Sequence, residues 1–476
     1  MKKKFDFSFY INALRLALPI AVQNLLTSSA TLIDTAMVAG IGDAAVSAIG
    51  GAVRYGFLLN VICFGIASGC SSLISQYWGG KEMKNLRRTY GFALTIGVVI
   101  ALIFTVLLSA FPFALMRVFT DKDSIAILGA EYIRIYAISV PFIVFSQITC
   151  FVFRAVEQVL IPLLSSIASV SVNIFFNYCF IAGNLGFPAL GLRGAAVASV
   201  IGSVTQALLL LVFLLFFENP FRRGFWSGFR FDRAFCRNYI RIAAPVLANE
   251  SFWALGTNVY IMVIGRQGIQ NHAGYTLFEN IQQLCFVFFV GICGACSIMV
   301  GKAVGAGDHE RAKQTVLRFE IMTPLCGLLV GTALFFCCRP LLSLFSVESE
   351  QARETAIACL RFYALWLPIR MIPYNLICGV FRAAGDTLTG CLLELTGLYA
   401  FGIPAVLITG LLFRPKNFLV IVIVMFMAED LFKAVCTLWH FCRGKWIRQI
   451  TEKKPSETVD GSAGICYNLP EKGDKE

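Results

Sequence analysis

The sequence predicts an all-α polytopic membrane protein with twelve transmembrane helices in two parallel six-helix repeats, two lobes around a central cavity. Three observations carry that prediction. The first is composition: hydrophobic residues make up 58% and charged residues 14% of the 476 positions, with a mean hydropathy of +0.74. Soluble domains run nearer to roughly 45–50% and about 25%, and no globular packing hides so much apolar surface from water. The second is a series of apolar stretches, each near the roughly 20 residues that cross a hydrocarbon core. The third is that the second half of the chain repeats the first.

The elements follow in order. The first span, 14–39, comes after Met1-Lys2-Lys3-Lys4 and begins like a secretory signal, with small residues at Ser28-Ser29-Ala30. Its apolar run continues past them to Ala39, about 25 residues in all, long enough to remain as an uncleaved helix. Spans 53–78, 89–116, 132–153, 160–183 and 192–217 complete an N-terminal lobe over 1–217. A basic inter-lobe loop is expected over 218–237, with Arg222, Arg223, Arg230, Arg233 and Arg237, and Arg241 just beyond. Spans 238–265, 277–301, 315–338, 356–381, 388–413 and 418–442 form a C-terminal lobe over 238–442. Residues 443–476, rich in Lys, Glu and Gly, read as a solvated polar tail. An even number of crossings puts both termini on one side. Lysine and arginine concentrate there, so the positive-inside rule makes that side cytoplasmic.

The repeat is visible residue by residue. Leu18-Pro19 aligns with Ala244-Pro245 at a shift of 226, and the same shift places Gly65-Ile66 on Gly291-Ile292, Cys70-Ser71 on Cys296-Ser297 and Gly79 on Gly305. At 227, Arg134, Tyr136 and Pro141 fall on Arg361, Tyr363 and Pro368; at 228, Phe153-Arg154-Ala155 falls on Phe381-Arg382-Ala383. Six crossings per copy keep the copies parallel, related by an axis along the membrane normal. Such repeats leave a midplane cavity and rock against each other for alternating access.

Other classes fit less well. The net charge of +12 sits in short clusters between apolar runs, which argues against nucleic acid as a partner. Most of the 17 cysteines lie inside apolar runs as packing residues, and Cys293-x-x-Cys296 has no second pair, so no structural metal is expected. Metalloprotease, nucleophile-elbow and P-loop patterns are missing, so the chain is not read as an enzyme.

Ionisable residues inside spans cost roughly 2.5–3.5 kcal/mol on insertion scales and so need a partner, a wet cavity or a function. Asp34 lies late in the first span, on a face that also carries Gln23, Asn24, Thr27 and Thr31. Glu250 lies five residues after Pro245, Glu394 in the eleventh span and Glu429-Asp430 in the twelfth, where Lys433 at i+4 offers a plain ion pair to Glu429. A carboxylate with no fixed partner can hold a proton, a sodium ion or a cationic substrate, but not all at once, which is the competition antiport requires. Asn173 and Asn177 share one helix face and can hydrogen-bond across helices. Pro19 and Pro245 each remove a backbone bond, giving either a hinge or a static kink. The aromatic residues Phe252, Trp253, Tyr260 and Phe286 suit cation–π contact with flat substrates, and equally plain packing. Arg370, between Pro368 and Pro373, receives no role.

These residues resemble the bacterial branch of the multidrug and toxic compound extrusion (MATE) transporters over about residues 10–450. The resemblance is carried by Val22-Gln23-Asn24 through Ile33-Asp34-Thr35-Ala36-Met37-Val38-Ala39-Gly40, by Gly305-Ala306-Gly307-Asp308, by Phe381-Arg382-Ala383-Ala384-Gly385-Asp386-Thr387 and by Gly444-Lys445-Trp446. It implies a multi-pass protein of the bacterial inner (cytoplasmic) membrane that exports small organic, cationic or aromatic compounds against an inward Na+ or H+ flow. No cofactor is implied beyond that gradient, and a monomer is expected. Asp34, Glu250, Glu394, Asn173 and Asn177 are then the cation-coupling residues, with transient Na+ at Asp34. Gln23, Asn24, Trp253, Tyr260 and Phe286 are the substrate-binding residues, Pro19 and Pro245 the hinges, and Asp386 the acid of a loop motif. One departure matters: Asn177 stands where some relatives carry an aspartate, leaving the N-terminal lobe one carboxylate instead of two. The rival reading is a lipid or lipid-linked oligosaccharide flippase. Its phosphate cargo needs a cationic cavity, and the spans offer few basic residues besides Arg370 and Lys433.

Overall fold

In lipid, the backbone groups of an apolar run must bond to one another, and a helix does so within the segment. Every regular element among the described residues is accordingly helical. The computed structural model describes residues 7–222, 224–343 and 349–451; Arg223 and the tail beyond Thr451 lie outside the described residues. Twelve long rods, labelled α1–α12, account for the fold: Phe7–Ala39, Asp43–Gly79, Met83–Ala110, Asp123–Ala155, Leu160–Ala182, Leu192–Phe216, Arg233–Gly265, Ile269–Gly305, His309–Leu342, Glu350–Phe381, Thr387–Phe413 and Leu419–Cys442. Ten are long and apolar enough to cross a membrane by length and composition alone. The other two, α7 and α12, carry Glu250 and the Glu429-Asp430-Lys433 group.

The repeat is written into the backbone. Four tight turns on the side of the termini close with the same six-residue bond: Glu82 N–H to Tyr77 O, Gln158 to Phe153, Asp308 to Ala303 and Asp386 to Phe381. Each passes through a left-handed residue, Lys81, Glu157, Gly307 and Gly385 respectively. This is the Schellman closure of a helix end. Lys81 and Gly307 differ by 226 and Glu157 and Gly385 by 228, the shifts seen in the sequence.

The two lobes meet through glycines. A Cβ on Gly79 would collide with the Lys302 carbonyl oxygen, and one on Gly305 with the Gln76 carbonyl oxygen. Gln76 and Lys302 are themselves 226 apart, so the pair of contacts is one contact exchanged by the pseudo-twofold. Gly65 against Leu247 and Gly291 against Ala21 repeat the relation farther along. All of these lie in the terminus-side halves of α1, α2, α7 and α8, as do the Lys302–Glu157 ion pair (2.6 Å) and the Gln76 Nε2 bond to Ala383 O (2.8 Å). On the far side Asp34 of α1 and Asn60 of α2, and Glu250 and Trp253 of α7, face a shared cavity instead of each other. The lobes therefore splay apart away from the termini.

The lobe boundary is less clean than the sequence implies. Phe9, Ala13, Leu16 and Ile20 of α1 pack into the C-terminal core, while Tyr239, Ile242 and Ala243 of α7 pack into the N-terminal core. The basic loop is no free linker either. Phe221 is fully buried, and Arg87 Nε and Arg88 Nε donate to the carbonyls of Pro220 and Arg230. Asp232 caps α7, which starts at Arg233 instead of 238. The Arg88 guanidinium beside Asp232, with the Phe235 N–H, holds that carboxyl below its usual range.

The expected solvated tail is also corrected over its first residues. Trp446 is fully buried. Arg448 N–H donates to Ala384 O (2.9 Å), Ile450 N–H to Gln76 Oε1 (3.0 Å) and Thr451 Oγ1 to Gly305 O (2.9 Å). Residues 446–451 thus form a strap across the terminus-side ends of both lobes. Composition marked this stretch as polar, but a polar chain satisfies helix-end groups as readily as water does.

Candidate functional site

Between the splayed lobes lies one cavity of about 740 Å³, lined by both of them. Ligand sites typically occupy about 300–1,000 Å³. Asp34, Gln23, Asn24, Asn173, Glu250, Trp253, Phe286 and Glu394 all face it. Tyr260 does not. Its ring is buried in the C-terminal lobe, where the hydroxyl donates to Glu429 Oε2 at 2.7 Å, so its expected substrate role is corrected to packing. Phe252 also lies off the cavity, its backbone oxygen held by the Tyr399 hydroxyl.

In the N-terminal lobe, α1 brings Asp34 against α5. Asn177 Nδ2 donates to Asp34 Oδ1 (2.5 Å) and approaches Asn173 Oδ1 at 3.3 Å. The amide nearest the carboxylate is therefore Asn177, with Asn173 behind it. No cationic side chain pairs with Asp34 among the described residues. Gln23 is tied down instead of free for substrate: its Oε1 accepts from Arg154 Nη2 (2.6 Å) and Nε (3.2 Å), and its Nε2 donates to Ser166 (2.8 Å). Asn24 Nδ2 faces the cavity with no partner.

The C-terminal lobe is different, because each of its cavity carboxylates has a fixed cation. Arg382 Nη2 meets Glu250 Oε1 at 2.6 Å. Lys433 Nζ bridges Glu394 (2.6 Å) and Glu429 (2.5 Å). Arg370 pairs with Asp430 (3.0 Å), which also accepts from Trp366 Nε1 (2.9 Å). The expectation that Glu250 and Glu394 await a cation is thus corrected: ion pairs already occupy them. Truncating one partner of a buried pair costs about 3–5 kcal/mol, because the other charge is left uncompensated. Arg382→Leu is accordingly expected to lower thermal stability in detergent steeply, and adding Glu250→Gln to recover most of the loss. Equal melting temperatures for the single and double variants would contradict that pairing.

Pro19 and Pro245 sit inside continuous helix. The irregular stretches lie elsewhere, as π-helical turns at Asn375–Phe381 in α10 and at Gly397–Gly402 and Ile408–Phe413 in α11. Asp386 is fully buried and bonded to His440 Nε2 and Arg448 Nη2 (2.7 Å each), which makes it a joint between loop, α12 and strap.

Three charged residues were missed by spacing. Arg154 and Arg382 fall at span ends and read as loop residues, yet both line the cavity. The repeat was the available signal, since the 228 shift superposes them. Glu320, in the ninth span, has no basic residue at i±3 or i±4, so the sequence offers it no plain ion pair along its helix. With Arg154, Arg370, Arg382 and Lys433, the cavity is more cationic than the spans predict.

Known proteins share this architecture. A 25% identical relative, the "Probable multidrug resistance protein YoeA" of Bacillus subtilis, aligns over 81% of this chain and 84% of its own length. The "Probable multidrug resistance protein NorM" of Thermotoga maritima is 22% identical over 91% and 92%. A solved structure described as the outward-facing conformation of a multidrug resistance MATE family transporter of the MOP superfamily superposes with a TM-score of 0.81, at 19% identity, covering 91% of this chain and 95% of that one. The MatE family model matches residues 19–179 and 245–408, one block in each lobe. Two matched repeats, a shared midplane cavity and twelve helices lead to one conclusion: the chain belongs to the MatE family, whose members are multi-pass membrane transporters of multidrug efflux and not enzymes.

Proposed function

We propose that the chain exports small organic cations from a bacterial cytoplasm by antiport with inward Na+ or H+, using Asp34 as the exchange site. The observation that carries this reading is the contrast within the cavity. Glu250, Glu394 and Asp430 are committed to ion pairs, whereas Asp34 has only the Asn177 amide. A carboxylate in that position is attracted to any monovalent cation that enters, and exchange between two of them is antiport. Trp253 and Phe286 offer aromatic faces in the same space, worth about 0.5–2 kcal/mol for a cationic ligand. The gradient itself is the energy source, and one chain lines the whole cavity, which fits transport by a single copy. The basic residues on the side of the termini support a cytoplasmic placement of both ends in the inner membrane.

The test is accumulation of a fluorescent organic cation in pump-deficient bacteria expressing the protein. Lower accumulation that is reversed by a protonophore assigns H+; reversal by a sodium ionophore alone assigns Na+. No change across a dozen cationic dyes would overturn the substrate class.

A second reading has one specific observation behind it. Arg154 lines the cavity with no carboxylate partner among the described residues, held only by Gln23 and beside the Phe151 ring. A phosphate-bearing cargo such as a lipid headgroup would find a charge there. Spin-labelled phospholipid translocation in proteoliposomes, abolished by Arg154→Gln, would favour it.

A further inference from the structure

Behind the C-terminal wall of the cavity, α8, α9 and α10 enclose a polar cluster that the exchange reading does not use. Glu320 of α9 accepts from Asn375 Nδ2 through Oε1 at 2.7 Å. Its Oε2 is buried without a partner, and so are Asn375 Oδ1 and Thr323 Oγ1. Asn375 is fully buried, and Thr323 is 1% exposed. Thr323 follows Glu320 at i+3 and shares its helix face. Asn375 opens the π-helical turn of α10, and its Oδ1 packs against Gly379 and beside Cys293.

The groups facing Glu320 can be named from each side. Cys293 and Cys296 of α8 stand near its carboxyl, and Cys296 lies beside Asn375. From α10 comes Asn375; α1 brings Phe9 against Phe319 and under the Arg318 guanidinium, one residue before and two residues before Glu320. No ion pair reaches Glu320 among the described residues. The cluster therefore holds two buried oxygens that can only accept, Glu320 Oε2 and Asn375 Oδ1, and one hydroxyl, Thr323, that can donate to only one of them. A proton taken from bulk water onto Glu320 Oε2 turns one acceptor into a donor, so that the carboxylic acid and the Thr323 hydroxyl together supply the two donors the cluster needs. A buried acceptor without a donor loses its hydration and gains no bond in exchange, so the protonated form is favoured.

We propose that Glu320, Asn375 and Thr323 form a second, proton-binding site in the C-terminal lobe, separated from the cavity by Cys293 and Cys378 and seated under the π-helical turn of α10. It goes beyond the Asp34 reading, since it lies in the other lobe and uses none of the exchange residues.

The test is infrared difference spectroscopy during a pH titration of the full-length protein in lipid, with choline as the only other monovalent cation. Wild type should show a titrating carboxylic acid C=O band that Glu320→Gln lacks and Asp34→Asn retains. Asn375→Ala, which keeps the acid but removes its amide partner, should shift that band in frequency; this variant decides the matter if Glu320→Gln fails to fold. Superimposable spectra of wild type and Glu320→Gln, or no shift in Asn375→Ala, would overturn the proposal. Loss of the band on replacing choline with sodium at constant pH would overturn the proton assignment and give the site to a metal cation. Asp34→Asn that stops export but keeps the band separates this site's fate from that of the exchange reading.

Discussion

Asp34→Asn is expected to reduce dye export to the level of cells lacking the protein, at matched expression. The substitution keeps size and an acceptor oxygen, so Asn177 retains its bond, but it removes the one cavity carboxylate that has no cation of its own among the described residues. The paired acids do not substitute for it, because freeing Glu250 leaves Arg382 buried and unpaired, at several kcal/mol, and freeing Glu394 breaks the bridge by which Lys433 joins it to Glu429. Folding should be untouched, so the melting temperature of the purified variant stays within about 1 °C of wild type, as an exposed or cavity-facing change typically allows. If export persists, coupling passes through the C-terminal ion pairs, and Lys433 becomes the residue whose partner is exchanged. If export stops only because the variant fails to reach the membrane, immunodetection in membrane fractions reveals it.

Gly305→Ala should be nearly as damaging, for a mechanical reason. Its added carbon collides with the Gln76 carbonyl, a backbone atom that cannot rotate away. Overpacking of this sort costs about 1–3 kcal/mol, enough to move a two-state population by about 5–150-fold. The terminus-side contact then loses ground to states in which the lobes part there. Amide hydrogen exchange at residues 76–80 and 302–306 is expected to speed up by that factor, and export to fall with it. Gly79→Ala meets Lys302 in the equivalent contact and should do the same. Because one parting of the lobes relieves both collisions, the double variant should cost less than the two singles added together. Strict additivity would mean that the contacts break independently, contrary to a rigid-body rocking of the lobes.

The sequence made the architecture readable because its solvent is simple. In hydrocarbon a span must be apolar for about 20 residues, and the shifts of 226 to 228 carried the two-lobe symmetry through to Lys81 and Gly307 and to Glu157 and Gly385. Helical spacing could also pair Glu429 with Lys433, because the partners lie one turn apart. It could not pair Glu250 with Arg382 or Arg370 with Asp430, which are separated by 132 and 60 residues and meet only once helices pack. For the same reason Tyr260 read as a cavity wall, although the helix turns its ring toward Glu429. Residues at span ends were the commonest loss. Arg154 and Arg382 sit where hydropathy ends and so looked solvated, while both helices continue far enough to carry them under the cavity floor.

The lobes also show what duplication left asymmetric. Arg154 and Arg382 occupy equivalent places, but the C-terminal copy meets Glu250 and the N-terminal copy meets the amide of Gln23. One half is locked by charge pairs and the other keeps an acid and a base apart, which is the arrangement that leaves the N-terminal half free to bind and release.

The strap at residues 446–451 has a further consequence. It is bonded at once to Gln76 of one lobe and to Gly305 and Ala384 beside the other, so it bridges the seam that must open for loading from the terminus side. Peeling it off is a precondition of that opening, and its release is set by a handful of hydrogen bonds and the seating of Trp446. A fluorophore attached at Arg448 is accordingly expected to change its emission when the lobes part on that side, and an unchanged signal during transport would mean that the strap stays seated.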